Sequence, residues 1–214
     1  MNVKGHIRYR TADNRIVVGV TTVVGQIAKP ALIKWANMLG LDGTDSGKYT
    51  DDTAEIGTLA HSLITDGLQG RMTNFSGYDQ TQQDAAEWCV KSWDAWCRGR
   101  DIKPILLEAP LVSERYRYGG TLDLFAEVDG IKTLIDLKST NDIWPEHFTQ
   151  VSAYRQLLIE AGHTVDAVRI LNIPRARTAV FKEAVLGDEV LEKNFEIFTS
   201  LLKVYQIRKE LKYV

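Results

Sequence analysis

Asp129-Gly130 separates two runs of strand-like alternation, residues 120–128 and 131–137, and constrains the fold more than any other pair in the chain. Asp-Gly is favoured in two-residue hairpin loops because both central positions of a type I′ turn need positive φ. Such a turn fixes the pairing register of the strands it joins. Counting outward gives six residues on each side, which brings Asp123 level with Asp136. Asp136 and Lys138 are two apart on one strand and share a face, while Leu137 points to the other.

Around this hairpin the hydrophobic period assigns the remaining elements. Residues 5–20 alternate about Asp13-Asn14 and predict a hairpin or a short pair of strands. With Thr21 or Thr22 as N-cap, apolar residues at Val24, Ile27, Ala28, Ala31, Leu32, Trp35 and Leu39 recur at helical spacing. Pro30 kinks or restarts this helix and Gly40 closes it. The polar stretch 42–52 predicts a loop, 53–68 a helix ending at Gly70, and 81–97 a helix burying Ala85, Trp88, Cys89, Trp93 and Trp96 before Gly99. Beyond Arg100 the period becomes strand-like, with a strand over 102–112 ahead of the hairpin. A helix over 144–161 buries Phe148, Val151, Ala153 or Tyr154, Leu157 and Leu158; strands at 165–173 and 179–185 and a helix over 189–211 complete the chain. This order predicts an α/β or α+β fold with a central mixed β-sheet flanked by helices. It forms one domain over 1–214: a mainly helical part to residue 100, a sheet core with its crossover helix over 101–186, and a closing helix over 187–214.

Composition excludes several classes. The 214 residues carry 26 basic and 28 acidic side chains, a formal charge of −2, with 44% apolar and 25% charged residues, as in ordinary globular domains. Disordered, collagen-like and solenoid architectures drop out, as does coating of nucleic acid by bulk charge, although a local basic stripe is open. Residues 16–28 are uncharged, but Thr21, Thr22 and Gln26 and the following Lys29-Pro30 do not fit a signal peptide, and the stretch is too short to span a bilayer. Cys89 and Cys97 lie eight apart on one helix, about 12 Å, beyond disulfide reach. They read as free thiols in a reducing cytoplasm, and two cysteines do not furnish a four-cysteine cluster.

Asp123 and Asp136 repel each other across the hairpin unless something positive lies between them. A divalent cation is one answer, with Lys138 beside it to orient an attacking water; a solvated salt bridge to Lys138 on an edge hairpin is the other, and the three residues alone leave both open. His61, bordering the face of Gly57, Ile64 and Leu68, reads as a satisfied helix histidine or a ligand, and Glu108, shortly before Pro110, as a solvated strand-end residue or a further acid. Gln150 and Tyr154 stand one helical turn apart on a shared face. Basic residues gather at Arg98, Arg100 and Lys103, at Arg175 and Arg177, at Lys203, Arg208, Lys209 and Lys212, and in Arg115-Tyr116-Arg117-Tyr118. The last of these leads into the Asp123 strand and suits phosphate contact with base stacking. Trp88, Trp93 and Trp96 recur at core spacing.

Five segments stand in order: Gly57-Thr58-Leu59-Ala60-His61, Leu107-Glu108, Gly120-Thr121-Leu122-Asp123, Ile135-Asp136-Leu137-Lys138-Ser139-Thr140 and Gln150-Val151-Ser152-Ala153-Tyr154. A lone D-x-K is a weak signal; the ordered set resembles the PD-(D/E)XK nuclease superfamily, in its RecB-type and phage recombination exonuclease branch. The likeness runs from about Val20 to Leu158 and includes the segment VTTVVGQIAKPALIKWA. It implies a restriction-endonuclease-like core with an N-terminal helical region, and a metal-dependent deoxyribonuclease, an exonuclease before an endonuclease, working in DNA recombination, repair or phage DNA processing. It also implies that His61, Asp123, Asp136 and the Leu137 carbonyl hold one or two Mg²⁺ or Mn²⁺ ions. Lys138 would position water, Glu108 would bind a second ion or orient water, and Gln150 and Tyr154 would position a DNA end or phosphate. The iron–sulfur form of the family is excluded by the cysteine count. Expected partners are DNA, contacted through Arg115, Tyr116, Arg117 and Tyr118, and a single-strand annealing protein or helicase, with no membrane and a cytoplasmic location; no G-x-x-x-x-G-K-[ST] motif is present. Two rivals remain: a non-catalytic DNA-binding or assembly protein on the same fold, against which an intact Lys138 and acidic pair argue, and a metal-carboxylate hydrolase of a non-nucleic substrate.

Overall fold

The structure, a computed structural model, describes residues 7–213. Gly5 and His6 of the expected opening hairpin, and Val214, lie outside them. Among the described residues six strands form one mixed sheet: β1 (Val18–Gly19), β2 (Ile102–Ser113), β3 (Tyr118–Val128), β4 (Ile131–Lys138), β5 (Ala167–Asn172) and β6 (Lys182–Leu186). The helices are α1 (Val20–Val24), α2 (Pro30–Leu41), α3 (Ser46–Leu68), α4 (Gln80–Cys97), α5 (Pro145–Glu160) and α6 (Asp188–Glu210). The flanked mixed sheet is the fold class the sequence predicts.

The hairpin forms as counted. Asp129 and Gly130 take φ of 52° and 83°, and the ladder from Val128↔Ile131 to Leu124↔Ile135 places residue 123 opposite 136 in the next step. There the ladder ends. β2 occupies the other edge of β3 throughout, and β1 joins the β4 side in parallel only at Val18↔Tyr118 and Gly19↔Gly119. Asp123 therefore sits where β3 and β4 part. α5 carries the chain across to β5, which pairs with β4 in parallel, and β6 closes the sheet antiparallel to β5.

Two apolar layers sandwich the sheet. α1, α5 and α6 pack on Tyr118, Leu122, Phe125, Leu134, Val168 and Ile170. α3 and α4 pack on Leu124, Ala126, Ile135, Leu137 and Leu171. Strict alternation would put Leu122 with Leu124, and Ala109 with Leu107, yet each pair divides between opposite layers. The change of face falls at Asp123 on β3 and at Glu108 on β2, and Glu108 takes a positive φ of 46°, uncommon for a residue with a side chain.

Several helix boundaries differ from those the periodicity predicts. The expected helix over 21–39 is two helices, with Pro30 starting the second; Gly19, not a threonine, is the N-cap of α1. Gly40 lies inside α2, and Gly43 takes the left-handed conformation beyond it. α2 buries none of its residues: Leu32 and Met38 are exposed, and its ring contact is Trp35 against Tyr49 of α3. The polar stretch is helical from Ser46 because Asp45 caps it, accepting from the Lys48 N–H at 2.9 Å. Among its described residues the opening segment forms an isolated antiparallel bridge, Arg10↔Ile16, before β1 turns to run parallel with β3.

α4 starts with a reciprocal cap in which Asp79 Oδ1 accepts from Gln82 N–H at 2.8 Å and Gln82 Oε1 accepts from Asp79 N–H at 3.0 Å. Asp79→Ala is expected to cost about 1 kcal/mol, lowering Tm by roughly 2–4 °C in thermal denaturation of a domain this size. The free thiols of Cys89 and Cys97 on this helix are pushed up to about 12 by burial, which makes them poor nucleophiles. Among the described residues no helix is long and apolar enough to cross a membrane.

Candidate active site

Gly57 brings α3 onto the end of β4. A Cβ there would lie 2.7 Å from Ser139 Oγ, so a hydrogen at this position lets the helix approach closely. One turn later His61 reaches the sheet, with Nδ1 3.3 Å from Asp123 Oδ1 and 3.9 Å from Glu108 Oε1. Glu108 is delivered from the neighbouring strand, since the pairs Leu107↔Leu124 and Ala109↔Leu122 place it opposite Asp123. One ligand atom each from His61, Glu108 and Asp123 lies within 4.8 Å of the others. Two carboxylates and an imidazole at that separation fit a divalent cation.

The second carboxylate oxygen of Asp123 accepts the Leu137 N–H at 2.8 Å, closing the gap where β3 and β4 separate. Burial works against ionisation of Asp123, but His61, then Lys138 and the Leu137 N–H, hold its carboxyl below the usual range. The same pairing lifts His61 above its ordinary value despite the burial that opposes it.

Asp136 adjoins this cluster on β4 and is 1% exposed. Its Oδ2 lies 2.6 Å from Lys138 Nζ, and apart from this ion pair neither oxygen accepts a hydrogen bond. Burial first, with the charge of Asp123 adding to it and Lys138 opposing, pushes its carboxyl up to about 6. The Asp136–Lys138 pair is thus no solvated edge of a hairpin, which removes the simpler of the two readings the three residues allow. Asp136 lies outside the mutual 4.8 Å grouping, in which Glu108 stands instead.

α5 covers the cluster from the other layer. Gln150 Nε2 donates to Tyr154 Oη at 2.9 Å, and the Tyr154 ring packs on Gly120. Burial, then the negative charges of Asp136 and Asp123, drive the Tyr154 hydroxyl well above its ordinary value, so it remains a neutral phenol. Two residues escape the sequence reading. His147, buried in the first turn of α5, accepts the Trp144 N–H on Nδ1 at 3.2 Å and is pushed down to about 4 by burial and then by Lys138. Asn172, opposite Lys138 on β5, is buried with its Nδ2 unpartnered. Nothing local in the sequence marks either one, because the β4–β5 register is set across a whole crossover helix.

The Arg115-Tyr116-Arg117-Tyr118 stretch lies apart from the cluster. Tyr118 is fully buried, donating to the Ala153 carbonyl at 2.9 Å and packing on Phe198, so its expected stacking on DNA is corrected to a core role. Tyr116 packs edge-on against Phe195. Arg117 pairs with Asp13 at 2.9 Å and Glu114 at 3.5 Å. The tight turn holding Arg115 stands about 17 Å along β3 from Asp123 at 3.4 Å per residue.

No protein-family model and no curated protein matches the sequence. Solved structures similar to this chain include a protein from Eubacterium rectale proposed to be an exonuclease, 10% identical over 74% of this chain and 69% of that one with a TM-score of 0.47. A phage-related exonuclease from Haemophilus somnus 129PT is 15% identical over 96% of this chain and 97% of that one, with a TM-score of 0.39. An alkaline exonuclease from Laribacter hongkongensis is 14% identical over 76% of this chain and 92% of that one, with a TM-score of 0.36.

Proposed function

We propose that this chain is a metal-dependent deoxyribonuclease that hydrolyses phosphodiester bonds, acting from DNA ends in recombination, repair or phage DNA processing. The observation that carries the reading is the convergence of His61, Glu108 and Asp123 donor atoms beside a buried Asp136–Lys138 ion pair. His61, Glu108 and Asp123 would hold a Mg²⁺ or Mn²⁺ ion, with Asp136 and the Leu137 carbonyl completing a set for one ion or two. Such an ion, when bound, polarises the scissile phosphate and lowers the pKa of water.

The chain's own groups do the rest. His61 must release any proton to offer its Nδ1 as a ligand, whereas Asp123 is already held ionised. Lys138 Nζ lies beside Asp136, where it orients the attacking water and offsets negative charge gathering on the phosphate oxygens. The neutral Tyr154 hydroxyl and Gln150 amide orient a phosphate by hydrogen bonding without changing charge. A carboxylate buried with a single lysine for a polar partner, as Asp136 is, costs the fold stability, which a merely DNA-binding scaffold has no reason to keep.

The test is incubation of the purified protein with linear and covalently closed DNA in Mg²⁺, Mn²⁺ or EDTA. Linear DNA is degraded with either ion, closed circles are spared, and EDTA stops the reaction; DNA left intact under all these conditions overturns the proposal. His61→Ala is expected to weaken Mn²⁺ binding by at least about tenfold in calorimetric titration, with the fold retained by far-UV circular dichroism.

A further inference from the structure

A cleft of about 450 Å³ opens between α4 and residues 174–181, away from the carboxylates. Trp88, Lys91 and Trp96 line one wall; Pro174, Arg177 and Phe181 line the other. Lys91 Nζ lies 4.2 Å above the Trp88 ring, and Arg177 is exposed. Trp96 donates its indole N–H to Glu183, whose charge is met by Arg169 at 2.6 Å. Lys91 is only 3.9 Å from Glu87, an exposed pair one helical turn apart that holds the ammonium weakly.

The position of the cleft relates it to the cluster. Gln82 Nε2 donates to Glu55 Oε2 at 2.7 Å, and Val90, Trp93 and Cys97 line a common hollow with Leu63, Ile64 and Leu68. α3 and α4 therefore run side by side in the same direction, with Trp88 level with His61. The opposite wall follows directly from β5, whose Asn172 pairs with Lys138. The cleft thus stands at the same end of the sheet as the candidate active site, one helix further across.

We propose that this cleft binds single-stranded nucleic acid, with a base stacked on Trp88 and Phe181 and its phosphates met by Lys91 and Arg177. Aromatic faces interleaved with cations at a groove are what unpaired strands require, since every base has a π-face and every linkage a negative charge. A purely apolar partner would offer nothing to the ammonium of Lys91, held only by its exposed pair with Glu87, or to the exposed Arg177, and a folded duplex presents no free base to the indole. The choice of nucleic acid rests on the nuclease reading; the binding itself does not need catalysis.

The test is fluorescence anisotropy of labelled oligothymidylate in EDTA, with the wild-type chain, Trp88→Ala, and Lys91→Ala/Arg177→Ala. Both variants should bind roughly tenfold or more weakly, and the double variant should lose about 0.7 of log–log salt slope for each phosphate contact removed. Both should still cleave a short blunt duplex like the wild type. Unchanged oligothymidylate affinity in both variants overturns the proposal, as does a wild-type chain that degrades DNA but has no measurable affinity for the oligonucleotide. Loss in the double variant alone overturns the stacking. A chain that binds through these residues yet cleaves nothing keeps the cleft and overturns the nuclease reading.

Discussion

Asp136→Asn is expected to lose the proposed DNA cleavage by a factor on the order of 10² or more and, in the absence of divalent ions, to melt at a higher temperature than the wild type at pH 7. The two effects share one cause. The Asp136 carboxyl is 1% exposed and has Lys138 Nζ, at 2.6 Å, as its polar contact, so its charge is tolerated in the fold only through Lys138. Its folded value, raised to about 6, stands above the roughly 3.9 of an unfolded aspartate. Between about pH 4 and pH 6 the folded chain keeps a proton that the unfolded chain has released, so stability falls as pH rises through that window. Asparagine removes this dependence. The gain in Tm should be fully open above pH 6 and close near pH 4, amounting at neutral pH to something on the order of 1–3 kcal/mol, or a few degrees. Lys138→Ala is the opposing control, since it removes the cation that offsets the burial. It should be as inactive, and less stable than the wild type at pH 7. Cleavage assays and pH-dependent melting of both variants check this; an Asp136→Asn protein with near-normal cutting would falsify the site.

The parts legible in the sequence are those that local chemistry dictates. Asp129-Gly130 admits one tight turn, so the level of Asp123 with Asp136 follows by counting. The spacing of Gln150 and Tyr154 needs only helical geometry, and their hydrogen bond forms accordingly. His61 and Glu108 were reachable only through the order of five motifs, because contacts between α3 and β2 are made by tertiary packing. The failures have the same origin. Helical spacing in α2 records an apolar face but not whether anything covers it, and Leu32 and Met38 remain exposed. Tyr118 reads as a DNA-stacking aromatic from sequence because its partner, Phe198, comes from the last helix. The reversal of face at Glu108 breaks the alternation on which strand reading depends, and it does so at the cluster itself; a glutamate at φ 46° is backbone strain held in place by its surroundings.

Gly120→Ala is expected to lower both stability and rate, and to do so through Tyr154. The glycine is not required for its backbone conformation, unlike Gly130 at φ 83° in the exposed hairpin turn. What it supplies is room: a Cβ at position 120 would stand 2.6 Å from Tyr154 Cε1 and 3.0 Å from Val20 Cγ2. Both neighbours are buried, Tyr154 at 4% and Val20 at 1% exposure, and Gln150 holds the ring by its hydroxyl, so neither can step aside freely. Overpacking of this kind costs about 1–3 kcal/mol, a fall in Tm of roughly 2–12 °C at 2–4 °C per kcal/mol. The displaced ring also carries its hydroxyl away from Asp123 and Asp136, so cleavage at saturating DNA should fall with it. Gly130→Ala tests the contrast, costing stability through its strained turn while leaving the rate intact. Tyr154→Leu supplies the second arm of a double-mutant cycle: with the ring gone, the added methyl meets less resistance, and Gly120→Ala should cost less by about 0.5–3 kcal/mol. An equal cost in both backgrounds would show that the glycine makes room for something other than the tyrosine. A rate untouched by either single change would remove Tyr154 from the positioning of phosphate.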